Sequence, residues 1–216
     1  MREPDVWQLL NQLPHPDQPF VTVVSDTGRV ELSGRTLVNG IAKAANAFRD
    51  VLDTEPGDSV AIELGWTWQQ SVWQGAALVA GLHLVGATDA SLTETEPLII
   101  DPSLISIHPM GLPAGGDREI TADVLGQPDV WLYPEYHHEH AVLMDHVRVW
   151  SHDVGVHVND RVGIIVSPNL PPQAHLFGPL LMPLIMTGSV VFLNDCQPEH
   201  IESLISQEKI NFLLSQ

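Results

Sequence analysis

The sequence contains few basic residues, and this scarcity excludes several classes of partner. Lysine plus arginine total 9 against 27 aspartate plus glutamate, which gives a formal net charge of -18 over 216 residues. The only lysines are Lys43 and Lys209. A field of this sign repels nucleic-acid phosphates and anionic lipid, so we expect neither nucleic acid nor a membrane surface as a partner.

Cysteine is scarce, and the sequence shows neither the pattern of a secretory leader at its start nor a long apolar run. The single cysteine, Cys196, excludes an internal disulfide and is typical of a reducing compartment. Residues 1–5 lack the positive region and apolar run of a secretory signal. The longest apolar stretches, residues 76–87 and 177–186, are too short to span a bilayer. We therefore expect a cytoplasmic protein without a membrane anchor.

Apolar residues make up 44% of the chain, and their spacing alternates between helical and strand periods. This alternation predicts an α/β fold with largely parallel or mixed sheets flanked by helices. The length suits a single domain over residues 1–216, or two lobes over about 1–128 and 129–216.

The first half of the chain has the clearer element signals. Residues 20–24 and 29–32 predict an antiparallel hairpin, and Ser33 is a suitable N-cap for a helix that ends before Pro56. Residues 59–85 then read as one strand-helix-strand unit. The glycine-rich and proline-rich residues 109–117 predict an exposed loop.

In the second half, a helical stripe precedes three strand signals. The buried side of that helix is predicted to contain Leu143, Val147, Trp150 and Val154. Strands are predicted over residues 162–166, 189–193 and 210–214, with a helical stripe of Ile201, Leu204 and Ile205 before the last of them.

Several segments, taken in order, resemble the N-terminal domain of the adenylate-forming (AMP-binding, acyl-CoA synthetase-like) enzymes. Residues 44–48 are similar to that family's "ANRLA" helix, residues 55–61 to its "GPGDRVA" turn, and residues 159–162 to its "GDRVL" segment. Residues 172–178 resemble "PLFHIFG", and residues 184–191 resemble "LLAGATVV". The resemblance extends through nearly the whole chain and implies the family's fold.

The family's phosphate loop, roughly "TSGTTGxPKG", is expected between Val130 and Ala141, where this chain reads WLYPEYHHEH. Such a loop holds a triphosphate through converging backbone N–H groups that glycines permit, together with hydroxyls and a cation. Glycine and lysine are both absent from the interval, and Glu135 and Glu139 repel a nucleotide. The family's later motifs and its C-terminal catalytic lysine fall beyond Gln216. We therefore expect no adenylation, no catalytic residue and no bound cofactor.

His175 and Gly178 are the candidate ligand-binding residues. In the resembled family the matching histidine lies beside the acyl or aryl pocket, and the nearby glycine leaves room for the ligand. The structural alternative is that His175 caps the next helix and Gly178 shapes its entry.

A second candidate site is the histidine-rich segment with His137, His138, His140, Asp145 and His146. These are metal-ligand types, but their spacing differs from the H-E-x-x-H helix of zinc enzymes. We expect a solvated loop or helix start here and no metal.

Three functions remain open on these patterns. The first is a catalytically incomplete acyl-CoA synthetase-like domain that acts as a binding or protein-interaction module, with an unidentified protein partner or by self-association. The alternative is a small-ligand protein that binds an adenosine, acyl or CoA group near His175. The third is a metal-dependent enzyme that uses the His137–His146 region.

Overall fold

The computed structural model describes residues 5–26, 28–86, 96–133 and 140–215. It confirms the α/β class. The chain forms two compact units: Met1–Leu37 together with Glu139–Gln216, and Val38–His138. The division expected from the sequence, one domain over 1–216 or two lobes over about 1–128 and 129–216, stays a prediction.

The described elements have the following bounds in chain order. The helices are α1 Val6–Asn11, α2 Gly34–Asp50, α3 Trp68–Val79, α4 Thr121–Leu125, α5 Ala141–Asp153, α6 Pro172–Phe177, α7 Leu181–Ile185 and α8 Ile201–Gln207, with a 3-10 helix at Pro198–His200. The strands are β1 Pro19–Ser25, β2 Gly28–Ser33, β3 Ser59–Ile62, β4 His83–Leu84, β5 Leu98–Ile100, β6 Arg161–Ile165, β7 Ser189–Leu193 and β8 Phe212–Leu214.

The first unit contains a mixed five-stranded sheet in the order β2-β1-β7-β6-β8. The predicted hairpin is confirmed, since β1 and β2 pair antiparallel. All other pairs are parallel, and β1 joins β7 through the register Val21 with Val190. On one face, Val24, Val191, Leu193 and Ile210 form a buried cluster against which Leu204 and Ile205 of α8 pack. Two residues of the predicted stripe of α8, Leu204 and Ile205, are therefore confirmed, and both are partly buried.

The second unit contains a parallel three-stranded sheet in the order β4-β3-β5. The predicted strand-helix-strand unit is confirmed as β3, α3 and β4, with Ser59 opposite His83. Phe48 of α2 and Trp73 of α3 meet edge to face with ring centroids 5.0 Å apart. Burial of two large aromatic rings in this geometry stabilises the contact between the two helices.

Two expectations need correction. The buried residues of α5 are Met144, Val147 and Ser151, so the buried side shares Val147 with the predicted stripe but is turned toward Met144 and Ser151. Leu143, Trp150 and Val154 are only half-buried. Helices α1, α4, α6 and α7 were not predicted, since each has six residues or fewer and is too short to show a period.

Two further predictions concern exposure. Of residues 109–117, all but half-buried Gly111 are exposed, which confirms the loop. Among the described residues, no helix is both long enough and apolar enough to cross a bilayer.

Candidate functional site

His175 lies in the connection that leaves the carboxyl edge of β6 in the first unit. The chain leaves β6 after Ile165, turns through residues 166–171 and enters α6. It leaves the neighbouring parallel strand β7 after Leu193, so both loops emerge at the same edge. Ligands of open α/β sheets bind outside the carboxyl ends of the strands. The predicted ligand residue therefore follows an edge that suits a site.

His175 lies within α6, and the N-cap of the next helix, α7, is Leu180, without a side-chain cap hydrogen bond. This corrects the capping alternative. His175 is exposed overall. Partial burial of its ring nevertheless lowers the pKa of His175 below its usual value. Desolvation disfavours the imidazolium ion, so a neutral ring that can both donate and accept a hydrogen bond is favoured at pH 7.

Gly178 is buried at the end of α6 and is tightly packed. A Cβ atom at this position would lie 2.9 Å from Ile164 Cδ1 and 2.4 Å from the carbonyl oxygen of Ala174. The glycine therefore permits close approach of the chain to β6. Its role in leaving room for a ligand, like that of His175, stays a prediction.

The segment that leads to the phosphate-loop position is held on α2 of the second unit. The fully buried Asn46 donates through Nδ2 to the carbonyl oxygens of Pro128 and Val130, at 3.2 and 2.9 Å. The N–H of Leu132 donates back to Asn46 Oδ1 at 3.2 Å. One amide side chain thus pairs with three backbone groups, which fixes residues 128–132 in place.

The side chains around this segment extend the same attachment. Tyr133 donates its hydroxyl to Asp50 Oδ1 at 2.6 Å. The guanidinium of Arg49 lies 5.6 Å from the centre of the Tyr133 ring, within the range of a cation–π contact. Trp131, which is 4% exposed, meets the same ring at 5.2 Å. The first three residues of the interval are therefore ordered by α2.

Lys43 binds residues 125–129, which lead into this segment. Its Nζ donates to the carbonyl oxygens of Leu125 and Gln127, at 3.1 and 2.6 Å. It also pairs with Asp129 Oδ1 at 2.8 Å. These three partners use the donors of the ammonium group, so Lys43 acts as a structural cation in this unit.

The histidine-rich segment is only partly described. His137 and His138 lie outside the described residues. Across the described ranges, no group of three or more histidine, cysteine, aspartate or glutamate side chains is placed to hold a metal ion. The metal hypothesis for the His137–His146 region stays a prediction.

Cys196 is half-buried, and its Sγ lies 3.4 Å from the carbonyl oxygen of Asn194. Burial, and then the charges of Asp195 and Asp26, raise the pKa of the thiol. A thiol with a raised pKa carries little thiolate at neutral pH and is a poor nucleophile.

Sequence reasoning missed Asn46 as an organising residue. A signal was present, because an amide at a buried position of an apolar helix requires hydrogen-bond partners. The partners themselves lie more than 80 residues away, at Pro128, Val130 and Leu132. The helix pattern alone does not indicate them.

No protein-family profile matches the chain. A curated protein of Mycobacterium tuberculosis, named only as a member of a protein family, is 32% identical over 123 residues. The match covers 47% of this chain and 49% of that protein. The chain therefore matches about half the length of this relative.

Solved structures match over nearly the whole chain. A fatty acyl-adenylate ligase of Legionella pneumophila, solved with acyl adenylate and pyrophosphate, is 12% identical with a TM-score of 0.65, over 97% of this chain and 44% of that one. Apo MatB of Rhodopseudomonas palustris is 16% identical with a TM-score of 0.67, over 97% and 48%. The amide bond synthetase McbA of Marinactinospora thermotolerans is 17% identical with a TM-score of 0.64, over 97% and 48%.

These likenesses establish the fold. The chain has the α/β architecture of AMP-binding, acyl-CoA ligase-type enzymes and spans somewhat less than half of their length. The fold that the resemblance implied is confirmed. Fold similarity by itself carries no reaction.

Proposed function

We propose that this chain is a binding or protein-interaction module built on the fold of adenylate-forming enzymes, and that it does not adenylate. The interval between Val130 and Ala141 is the observation that carries the proposal. It contains neither glycine nor lysine, and it has carboxylates at Glu135 and Glu139. The single cysteine supports a reducing, cytoplasmic location for this module.

The lack of a free cation for a triphosphate in this interval supports the absence of adenylation. A triphosphate needs converging N–H groups and a nearby cation to offset its negative charge. Lys43 of the second unit is a candidate for this cation. Its ammonium group, however, is already paired with Asp129 and two carbonyl oxygens. Recruiting it would break the attachment of residues 125–129 to α2.

Adenylation is tested by pyrophosphate exchange into ATP with a panel of fatty and aryl acids. The L. pneumophila fatty acyl-adenylate ligase serves as the positive control. We expect no acid-dependent exchange by this chain under conditions in which the control is active. Exchange that requires an added acid would overturn the proposal.

The interaction role is tested by the mass of the purified chain in solution. Light scattering after size-exclusion chromatography, over roughly 1 to 100 μM, covers the range in which a specific dimer forms. We expect a dimer whose fraction rises with concentration. A monomer throughout would remove the self-association version and leave only a heterologous partner.

A second candidate function is the binding of an adenosine, acyl or CoA group near His175. Two observations support this function. Helix α6 follows the carboxyl edge of β6, and the lowered pKa of His175 favours a neutral ring. A ligand at 100 times its dissociation constant stabilises a fold by about 2.7 kcal/mol, which is readily seen as a rise in melting temperature.

The experiment that tests this second function is a thermal-shift series with AMP, ATP, CoA and fatty acids. His175→Ala removes the candidate ligand group, and His152→Ala, at an exposed position of α5, is the matched control. The second function requires a shift that His175→Ala abolishes and His152→Ala preserves. No shift with any of the four ligand classes would exclude it and leave the interaction module.

A further inference from the structure

A cavity of about 210 Å³ lies at the amino edge of the sheet in the first unit, opposite the edge near His175. Pro19 and Ser189, the first residues of β1 and β7, line it, as does Asn159, just before β6. One wall consists of residues 13–15 and 18–20, and the other of Asn159 with residues 187–189.

The first wall is a short connection held by backbone hydrogen bonds. The N–H of Gln18 donates to the carbonyl oxygen of His15 at 3.0 Å, and Gly34 N–H donates to Gln18 O at 3.1 Å. Phe20 is 4% exposed and fixes the base of this wall in the core. The wall is therefore formed before any ligand arrives.

The second wall is held in a sparsely populated backbone conformation. Asn159 and Thr187 have φ angles of 67° and 52°. Thr187 Oγ1 donates to Asn159 Oδ1 at 2.9 Å, and Asn159 N–H donates to Met186 O at 2.8 Å. A positive φ is unusual for a β-branched residue, and such strain persists where the surroundings hold it and is frequent at binding sites.

Among the described residues that line the cavity there is no aspartate, glutamate, lysine or arginine, although the chain has 27 acidic residues. The hydrogen-bonding groups are the amides of Gln18 and Asn159 and the hydroxyls of Thr187 and Ser189, with His15 beside them. The guanidinium of Arg161 donates to Ser189 Oγ at 3.2 Å but is already paired with Glu208. A charged ligand would therefore lose part of its hydration without gaining a free counter-charge, so an uncharged ligand is favoured.

Size limits the ligand further. The cavity volume of about 210 Å³ equals that of roughly seven water molecules and is below the 300–1,000 Å³ of sites for drug-sized ligands. Leu13, Pro14, Pro19 and Phe20 supply apolar contact next to the amides and hydroxyls. We propose that this cavity binds an uncharged single-ring compound that bears an amide or hydroxyl group.

The test is an NMR titration of the ¹⁵N-labelled chain with benzamide, and with benzoate as its anionic counterpart of the same shape. At about 20 mM ligand, above a millimolar dissociation constant, we expect benzamide to shift the amides of residues 13–20 and 187–189. Benzoate should leave them unchanged, because the described lining residues include neither lysine nor arginine.

Variants separate this site from non-specific binding. Gln18→Ala removes one lining amide from an exposed connection, and we expect the dissociation constant to rise about 2- to 10-fold, the value of one hydrogen bond. Gln173→Ala, at an exposed position of α6 outside the cavity, should bind as the natural chain does. Three results would overturn the proposal: absent or scattered benzamide shifts, an equal response to benzoate, or unchanged affinity of Gln18→Ala.

Discussion

At the scale of single residues, Glu208 joins several strands of the first unit. Its Oε1 accepts from Arg29 Nε at 2.6 Å, and its Oε2 accepts from Arg161 Nη2 at 3.1 Å. Arg161 also donates to Thr22 Oγ1 at 3.0 Å and to Ser189 Oγ at 3.2 Å. Because the Glu208 side chain is only 9% exposed, these ion pairs are poorly screened.

We expect Glu208→Gln to lower the free energy of unfolding at pH 7 by about 2–3 kcal/mol, because it leaves the largely buried Arg161 charge without a carboxylate. Urea denaturation measures this change. Glu202→Gln, at an exposed position of α8, is the control and should be neutral. A loss as small as that of the control would show that Glu208 contributes no more than a surface charge.

The same residue sets a pH dependence. Hydrogen bonding to Arg29 is the main cause that lowers the pKa of Glu208 in the folded chain. Its contribution is therefore fully present above the unfolded pKa, about 4.3, and is lost as the pH falls through the lower folded value. We expect the natural chain to lose stability below about pH 4.3 more steeply than Glu208→Gln. Parallel curves for the two proteins would contradict this account.

At the scale of elements, α2 has a structural role beyond covering a sheet. We expect Asn46→Ala to lower the free energy of unfolding by about 1–3 kcal/mol, because it removes the three hydrogen bonds that a fully buried amide makes to partly buried backbone groups of residues 128–132. Hydrogen exchange at the Leu132 amide should accelerate with it. Asn169→Ala, at an exposed position, is the matched control. Unchanged exchange at Leu132 would mean that other contacts hold the segment.

The end of α8 offers a change in the opposite direction. Lys209 follows the C-cap residue Glu208 with a φ of 54°, a conformation that disfavours side chains with a Cβ atom. We expect Lys209→Gly to raise the melting temperature, with a gain of about 1 kcal/mol. Lys209→Ala keeps the Cβ atom and controls for the lost charge. An equal gain in both variants would indicate relief of charge and not of strain.

The sequence predicted the longer elements of the fold, including the helix after Ser33, which the structure shows as α2 with Leu37, Ile41 and Phe48 buried. The prediction from sequence failed for features that tertiary packing determines. The buried side of α5 includes Ser151, a residue that hydrophobic periodicity does not place in a core. Helices of five or six residues, such as α6 and α7, are stabilised by tertiary contacts and have no period to detect.

The candidate sites could likewise be predicted only in part, because some of their features depend on the tertiary fold. Resemblance placed His175 in a segment that follows a carboxyl edge, but the close packing of Gly178 against Ile164 depends on the tertiary fold. The cavity at the amino edge could not be predicted, because its walls come from residues 13–20 and 159–189, which only the sheet brings together.

At the scale of the whole molecule, the charge of -18 affects stability without belonging to any one contact. Like charges repel most strongly in the compact state, and raising the ionic strength from about 0.01 to 0.15 M shortens the Debye length from about 30 to 8 Å. We expect the melting temperature at pH 7 to rise over this range. NaCl and KCl should act equally if screening is the cause. A fall would show that screening of ion pairs such as Arg29–Glu208 outweighs relief of repulsion.

The pairing of β1 with β7 has a consequence for how the chain is made. Val21 finds its partner Val190 only after the residues between them, a separation of 190 − 21 = 169 positions, have been synthesised. At about 5–20 residues per second, the ribosome needs roughly 10–30 s to span that separation. During that delay the nascent β1–β2 hairpin has an unsatisfied edge, at which chaperones or other nascent chains can bind. Slower translation of the middle of the chain would lengthen this exposure and increase aggregation without altering the finished protein.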